Sequence, residues 1–203
     1  MQQVKRKARE QELDHVMLEG QQIENVYSFE YLGSRFQCDG DDKADVSYRM
    51  TIAQSVFSSL SHMWTDHRLP STMKFRLYQS AVCSTFAHAC EAWTLTDRVK
   101  RMINGFNSRC LHVITNADYR ETATNPEFDL LLAIRRRRLR YLGHIFRMDA
   151  GRLVRRALAA YVHGGEQVPV GSLLEDCEPL LFEDLARIAW DRQGWQRRVE
   201  ALQ

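Results

Sequence analysis

The sequence predicts a mainly α fold, with an N-terminal β-hairpin packed on a three-helix bundle, then an arginine-rich helix and a C-terminal helical piece. Three observations carry that expectation. Between Ala44 and Trp64 the apolar residues Val46, Met50, Ala53, Phe57, Leu60 and Trp64 recur every three or four positions, the period of one helix face. Between Leu131 and Phe146 the same period returns around four consecutive arginines, Arg135 to Arg138. Between Val16 and Ser34 the runs are short and strand-like, and glycines Gly20 and Gly33 punctuate them. The chain therefore divides into residues 1–37 (lead-in and hairpin), 38–115 (three-helix bundle), 116–162 (arginine-rich helical region), 163–179 (acidic linker) and 180–203 (C-terminal helical segment).

Residues 1–14 are polar and lack an apolar period, so they read as a mobile lead-in or a short helix. From Val16 to Leu18 and again from Ile23 to Leu32 the pattern is that of strands, with Glu19-Gly20 as a turn that needs positive φ. The run from Phe29 to Ser34 alternates its faces and leaves by a glycine. A unit of so few strands is not stable alone in water and must pack on a helix or on something outside the chain. The turn Cys38-Asp-Gly-Asp-Asp42 is expected to cap the helix that follows; the pair Asp41-Asp42 sits in this turn, away from any rigid strand that a two-metal site would use. Leu69-Pro70-Ser71 restarts a second helix, apolar nearly all round from Ser80 to Trp93 and so expected at the buried centre. Thr96-Asp97 caps a third, with Val99, Met102, Ile103, Phe106, Cys110 and Val113 inward. A polar loop over 115–125 ends at Asn125-Pro126, an N-cap and first-turn proline that start the arginine helix. After Asp149-Ala-Gly151 come a short helix from Leu153 to Tyr161, a glycine-rich linker from His163 to Ser172, and one or two helices over 180–202.

Over 203 residues the formal net charge is only +2, but its distribution is uneven. From Asp97 to Ala160 there are 14 Lys/Arg against 6 Asp/Glu, whereas from Glu166 to Asp191 there are 7 acidic residues and one arginine. The basic middle attracts polyanions, and the acidic part is placed to fold back on it. Five cysteines at irregular spacings, no apolar leader and no run of 18 apolar residues predict an intracellular chain, nuclear or cytoplasmic, with reduced thiols and no membrane span.

Reactive constellations are missing. Cys83, His88 and Cys90 lie on one helix and Cys110 and His112 on the next, yet no CxxC or HxxxH spacing closes a tetrahedral metal site. Small cysteines in a helical core explain them. There is no glycine-rich phosphate loop and no nucleophile elbow. His144 is a helix-surface histidine beside the arginines, and the tryptophans fall at apolar helix positions or helix ends, where core packing is expected. No cofactor and no metal are implied, and the chain reads as a binder.

The candidate ligand site is the arginine helix. Successive side chains lie about 100° apart, so four adjacent arginines cannot share a face. Arg136, Arg140 and Arg147 can, over about 16 Å of helix, with Gly143 as bare backbone between the last two. Such a row suits a flat anionic surface, with a nucleic-acid backbone as the first candidate; the other reading is a solvated charged face plus an arginine packed on its partner helix. Lys100, Arg101 and Arg137 are secondary contacts; Arg135 and Arg138 lie nearer the apolar stripe and are expected to run along the core edge. If the row has a protein partner instead, this chain's own acidic segment from Glu175 to Asp184 is one candidate.

A family resemblance enters through several segments in order. Val26-Tyr-Ser-Phe-Glu-Tyr-Leu-Gly-Ser34 with the Asp39-Gly40 turn resembles the segment after the catalytic strands in reverse transcriptases of LINE-type non-LTR retrotransposons. The helix from Arg49 to Trp64, then Lys74-x-Arg-Leu-Tyr78, Glu91-x-Trp-Thr-Leu95 and Arg137-Arg-Leu-Arg-Tyr-Leu-Gly-His-Ile-Phe-Arg-Met148, are similar to that family in the same order, and Ala189-Trp-Asp-Arg-Gln-Gly-Trp195 is loosely similar to its C-terminal end. The resemblance implies that the bundle is a thumb and that the helices after it help to grip a template–primer duplex, with Phe29 to Gly33 at the primer-grip edge. It also implies what is missing: the aromatic-Ala-Asp-Asp strand that holds the catalytic metals, the fingers and the endonuclease. Between Gly164 and Cys177 an acidic stretch stands where the family has a basic Gly-Arg-Pro stretch and Trp-x-Asp. The expected activity is binding of RNA or DNA backbone without catalysis; the alternative is a helical protein-interaction fragment or a remnant with no nucleic-acid role.

Overall fold

A computed structural model describes residues 16–38, 40, 42–115, 128–163 and 182–202. The chain is mainly helical, with strands confined to its N-terminal part. It separates into two units, Met1–Asp41 and Asp42–Gln203.

The first unit holds two hairpins rather than one. Strand β1 (Met17–Leu18) pairs antiparallel with β2 (Gln21–Gln22), and β3 (Ser28–Tyr31) with β4 (Ser34–Gln37). Both turns put two consecutive residues at positive φ, Glu19-Gly20 and Leu32-Gly33. That is the primed geometry whose twist matches a two-stranded ribbon. Gly20 was legible as a turn glycine; Gly33 was expected to end a strand but instead reverses the chain, because Ser34 to Gln37 pairs back on β3. The register sets Phe29 opposite Phe36 and Glu30 opposite Arg35, so one face carries Phe29, Tyr31 and Phe36, all about half exposed.

In the second unit, α1 (Lys43–Ser59) breaks at Leu60 and resumes as α2 (Ser61–Thr65). The expected pattern holds: Val46, Ala53, Phe57 and Trp64 are buried. The Trp64 indole donates to the Phe57 carbonyl at 2.8 Å and the buried Lys74 ammonium to the Trp64 carbonyl at 2.6 Å, which closes the break between the helices. Asp42 occupies the N-cap position of α1 but forms no side-chain cap; its carboxylate accepts from the Thr94 amide at 2.7 Å.

Helix α3 (Ser71–Leu77) continues through a π-helical stretch, Tyr78–Cys83, into α4 (Ser84–Phe86). The expected helix to Trp93 is thus cut short. Ala89 adopts φ +58°, and a 3-10 turn over Cys90–Ala92 brings both Cys90 and Trp93 into the core. There the Trp93 indole donates to the buried carboxylate of Asp45 at 2.7 Å, which satisfies a polar group that would otherwise be costly to bury. Helix α5 (Asp97–Thr115) buries Val99, Ile103, Phe106 and Cys110 as expected, but Val113 is half exposed and Leu111 and Ile114 are buried in its place. Tyr78 donates to Asn107, and the Asn107 amide donates to the Phe128 carbonyl, a buried polar chain across the bundle.

Helix α6 (Leu130–Phe146) is the arginine helix, and α7 (Leu153–His163) follows it. Its N-cap is Asp129, whose carboxylate accepts from the Leu132 amide at 2.9 Å; Asn125-Pro126, the expected start, lies outside the described residues. Two short helices, α8 (Phe182–Trp190) and α9 (Arg192–Glu200), pack on its C-terminal half. One helix therefore serves two hydrophobic clusters: Leu130 and Ile134 belong to the core of the bundle, while Leu139, Leu142 and Phe146 pack with Leu185, Ala189, Trp195 and Val199. Among the tryptophans, Trp190 departs from the expected burial and is 64% exposed. The acidic linker over 163–179 falls almost wholly outside the described residues.

Candidate nucleic-acid interface

Helix α6 leaves one strip in water, Ala133, Arg137, Arg140, Tyr141 and His144, while Arg135, Arg136 and Arg147 are half-buried and Arg138 is buried. The expected row comes apart accordingly. Arg136 is partly buried, and its Nη2 donates to the carbonyls of Glu200 and Leu202, both at 2.9 Å. Arg147, at the C-cap of α6, donates from Nη1 to the Ala189 carbonyl at 2.7 Å. Those carbonyls stand at or just beyond the C-terminal ends of α9 and α8, where helix acceptors lack partners and partial negative charge accumulates. A guanidinium is a fitting cap for both. Removal from water lowers the pKa of Arg147 from its ordinary value, and the neighbouring Arg192 adds to the shift.

Gly143 does not present bare backbone to a ligand. A Cβ there would lie 2.7 Å from both Cδ1 and Cε2 of the Trp195 indole, far inside van der Waals contact, and closer still to Nε1. The same indole donates to the Leu139 carbonyl at 3.0 Å and meets the Phe146 ring edge-on at 6.4 Å. The Arg155 guanidinium lies over the Phe146 ring, 5.0 Å from its centroid. The glycine is thus a seat for Trp195.

Arg140 alone of the row is exposed and forms no hydrogen bond or ion pair among the described residues. Of the secondary positions, Arg101 is likewise exposed and unpaired among the described residues. Lys100 is half-buried, 4.0 Å from the Asp97 carboxylate. Arg137 donates from Nε to the Glu91 carboxylate, a pairing that ties α6 to the 3-10 turn. Arg138 goes further inward than the core edge and is 1% exposed. The acidic partner expected within 175–184 is only partly described; Asp184 pairs with Arg187 on its own helix at 2.9 Å, not with the arginine helix.

Sequence reading missed Arg76. It is exposed on α3, forms no hydrogen bond or ion pair among the described residues, and lines a cleft of about 560 Å³ with Arg136 and Arg140. Its place on the polar side of an amphipathic helix was the available signal; nothing in the spacing joined that helix to α6.

If Arg147 caps α8, replacing it by leucine leaves the Ala189 carbonyl unsatisfied and should cost about 1–3 kcal/mol of stability. A lower urea midpoint checks this, whereas a residue reserved for phosphate would change binding alone. No helix among the described residues is long and apolar enough to cross a membrane. No protein-family model matches the chain, and no curated protein or solved structure is significantly similar to it.

Proposed function

We propose that this chain binds RNA or DNA backbone with little sequence preference, as the thumb and post-thumb part of a LINE-type reverse transcriptase would, and performs no catalytic step itself. One observation carries the reading: across the described residues from 42 to 202 there are 22 Lys/Arg against 11 Asp/Glu, a balance of +11. The acidic stretches outside the described residues offset part of that charge for the whole chain, whose formal net charge is +2, but the helical body bears it. The excess cations that remain in water are available to neutralise phosphate and release its counterions. The order of reverse-transcriptase-like segments in the sequence supports the same reading.

The phosphate contacts are Arg140 and Arg101 first, with Lys100 and Arg137 weaker because each already faces a carboxylate. Arg136 and Arg147 are occupied by carbonyls and hold the fold. Affinity should fall steeply with salt, and Arg140→Gln with Arg101→Gln should reduce the log–log salt slope by up to about two units. Filter binding of a duplex at several salt concentrations measures it. A slope that both variants leave unchanged rejects these contacts, and a wild-type chain that retains no duplex at low salt rejects the function. The second reading, a protein-interaction fragment, is favoured by the exposed aromatic face of Phe29, Tyr31 and Phe36. It predicts no nucleic-acid retention at any salt concentration.

A further inference from the structure

We propose that the cleft between α3 and α6 receives a single nucleotide, its phosphate held by Arg76 and Arg140 and its apolar part lodged against Phe75 and Phe128. The inference rests on the nucleic-acid reading and names a place within it: one residue of a strand leaves the backbone surface and enters this cleft.

The size fits. About 560 Å³ falls within the range of small-ligand pockets and greatly exceeds what one inorganic anion fills. The walls are of two kinds. Arg76 and Arg140 come from different helices, are both exposed, and meet no carboxylate in an ion pair among the described residues. Two guanidinium forks facing one cleft match the several oxygens of a phosphate. A third guanidinium, that of Arg136, also lines the cleft and is fixed by the Glu200 and Leu202 carbonyls, so its field is in place before any ligand arrives.

The other wall is aromatic and neutral. The rings of Phe75 and Phe128 stack at 3.9 Å with an interplanar angle of 18°, which makes one rigid apolar block. Gln79 and Thr72 add amide and hydroxyl groups able to exchange hydrogen bonds with a base or a sugar. Asp129, the carboxylate in the lining, is committed through Oδ1 to the first turn of α6. A cationic end, an apolar block and neutral polar groups together match a nucleotide; a bare anion would use only the first.

The test uses the full chain and three probes at low salt: adenosine 5′-monophosphate, adenosine, and inorganic phosphate, each titrated by NMR or calorimetry. The nucleotide should bind at least tenfold more tightly than either of the others. Arg76→Gln should weaken it about tenfold. Ala133→Trp, which fills the cleft from an exposed position on α6 without removing a charge, should weaken it at least as much. Thermal melts of both variants should match the wild type, since neither side chain is buried. The proposal is overturned if the nucleotide does not bind, if inorganic phosphate binds equally well, or if both variants leave nucleotide affinity intact. Duplex retention measured beside these titrations separates the two readings. Duplex binding without nucleotide binding sinks the cleft alone, and nucleotide binding without duplex binding sinks backbone binding alone.

Discussion

Gly143→Ala should release the two C-terminal helices from the arginine helix. The added methyl has no room, because the Trp195 indole already occupies its position. That indole cannot easily swing aside: it is 4% exposed, donates to the Leu139 carbonyl and is packed between Leu139, Leu142 and Phe146. Either the helices shift apart or Trp195 leaves the cluster. Overpacking costs about 1–3 kcal/mol and loss of a buried tryptophan about 3–5 kcal/mol, so relaxation by the cheaper route should cost about 1–3 kcal/mol. Urea unfolding and limited proteolysis near residue 191 read it out. A double-mutant cycle sharpens the test. In a Trp195→Ala background the clash is gone, and alanine should then stabilise the helix by up to about 1 kcal/mol through its better propensity. A sign that does not reverse rejects the packing argument.

The same residues show what could and could not be read from the chain. Helix faces were largely legible: α1 and α5 bury most of their periodic residues, Val113 excepted, since a spacing of three and four is a property of one segment alone. The hairpin turn at Gly20 was legible for the same reason. What failed needed knowledge of a partner. Gly143 looks identical in sequence whether phosphate or indole approaches it. Spacing alone puts Arg136 and Arg147 on one side of α6, but the carbonyl ends that occupy them lie more than 40 residues away in the chain. The break at Ala89 gave no signal either, because alanine at positive φ is disfavoured and the turn is imposed by the burial of Cys90 and Trp93. Tertiary contacts outvoted local preference at each of these places.

The charge count and the charge available to a ligand are therefore different quantities. Arg136, Arg137 and Arg147 are held by carbonyls or a carboxylate, and Arg138 is buried. Three of these suggestive arginines join elements together, and the fourth is sealed in the core. Arg76 and Arg140, exposed residues that line one cleft, do not lie near each other in sequence. A ligand that reads charge would find them only after the bundle has formed, which couples recognition to folding.

Alkaline pH should destabilise the fold steeply, because thiols are buried in its core: burial raises Cys83 to about 12, and two more are sealed completely. Cys90 and Cys110 are 0% and 1% exposed. Burial pushes Cys90 up to about 12, with the Glu91 carboxylate adding to the rise, and burial pushes Cys110 up to about 11, from an ordinary value of 9.0 in each case. Below pH 9 both folded and unfolded chains keep these protons, and the groups do not oppose folding. As pH rises past 9 the unfolded chain releases them while the folded chain does not, so stability is lost until the folded values are passed. Each thiol contributes up to about 1.4 kcal/mol per pH unit inside that window, so Cys90 and Cys110 together remove about 2.3 kcal/mol per unit near pH 10. Urea midpoints between pH 8 and pH 10.5 measure the loss, and a Cys90→Ala/Cys110→Ala chain should follow a flatter curve than the wild type. Parallel curves would show that these thiols are not what titrates. The exposed Cys38 supplies the internal comparison: at pH 8 it should react rapidly with a thiol reagent while Cys90 and Cys110 react only as fast as the bundle opens.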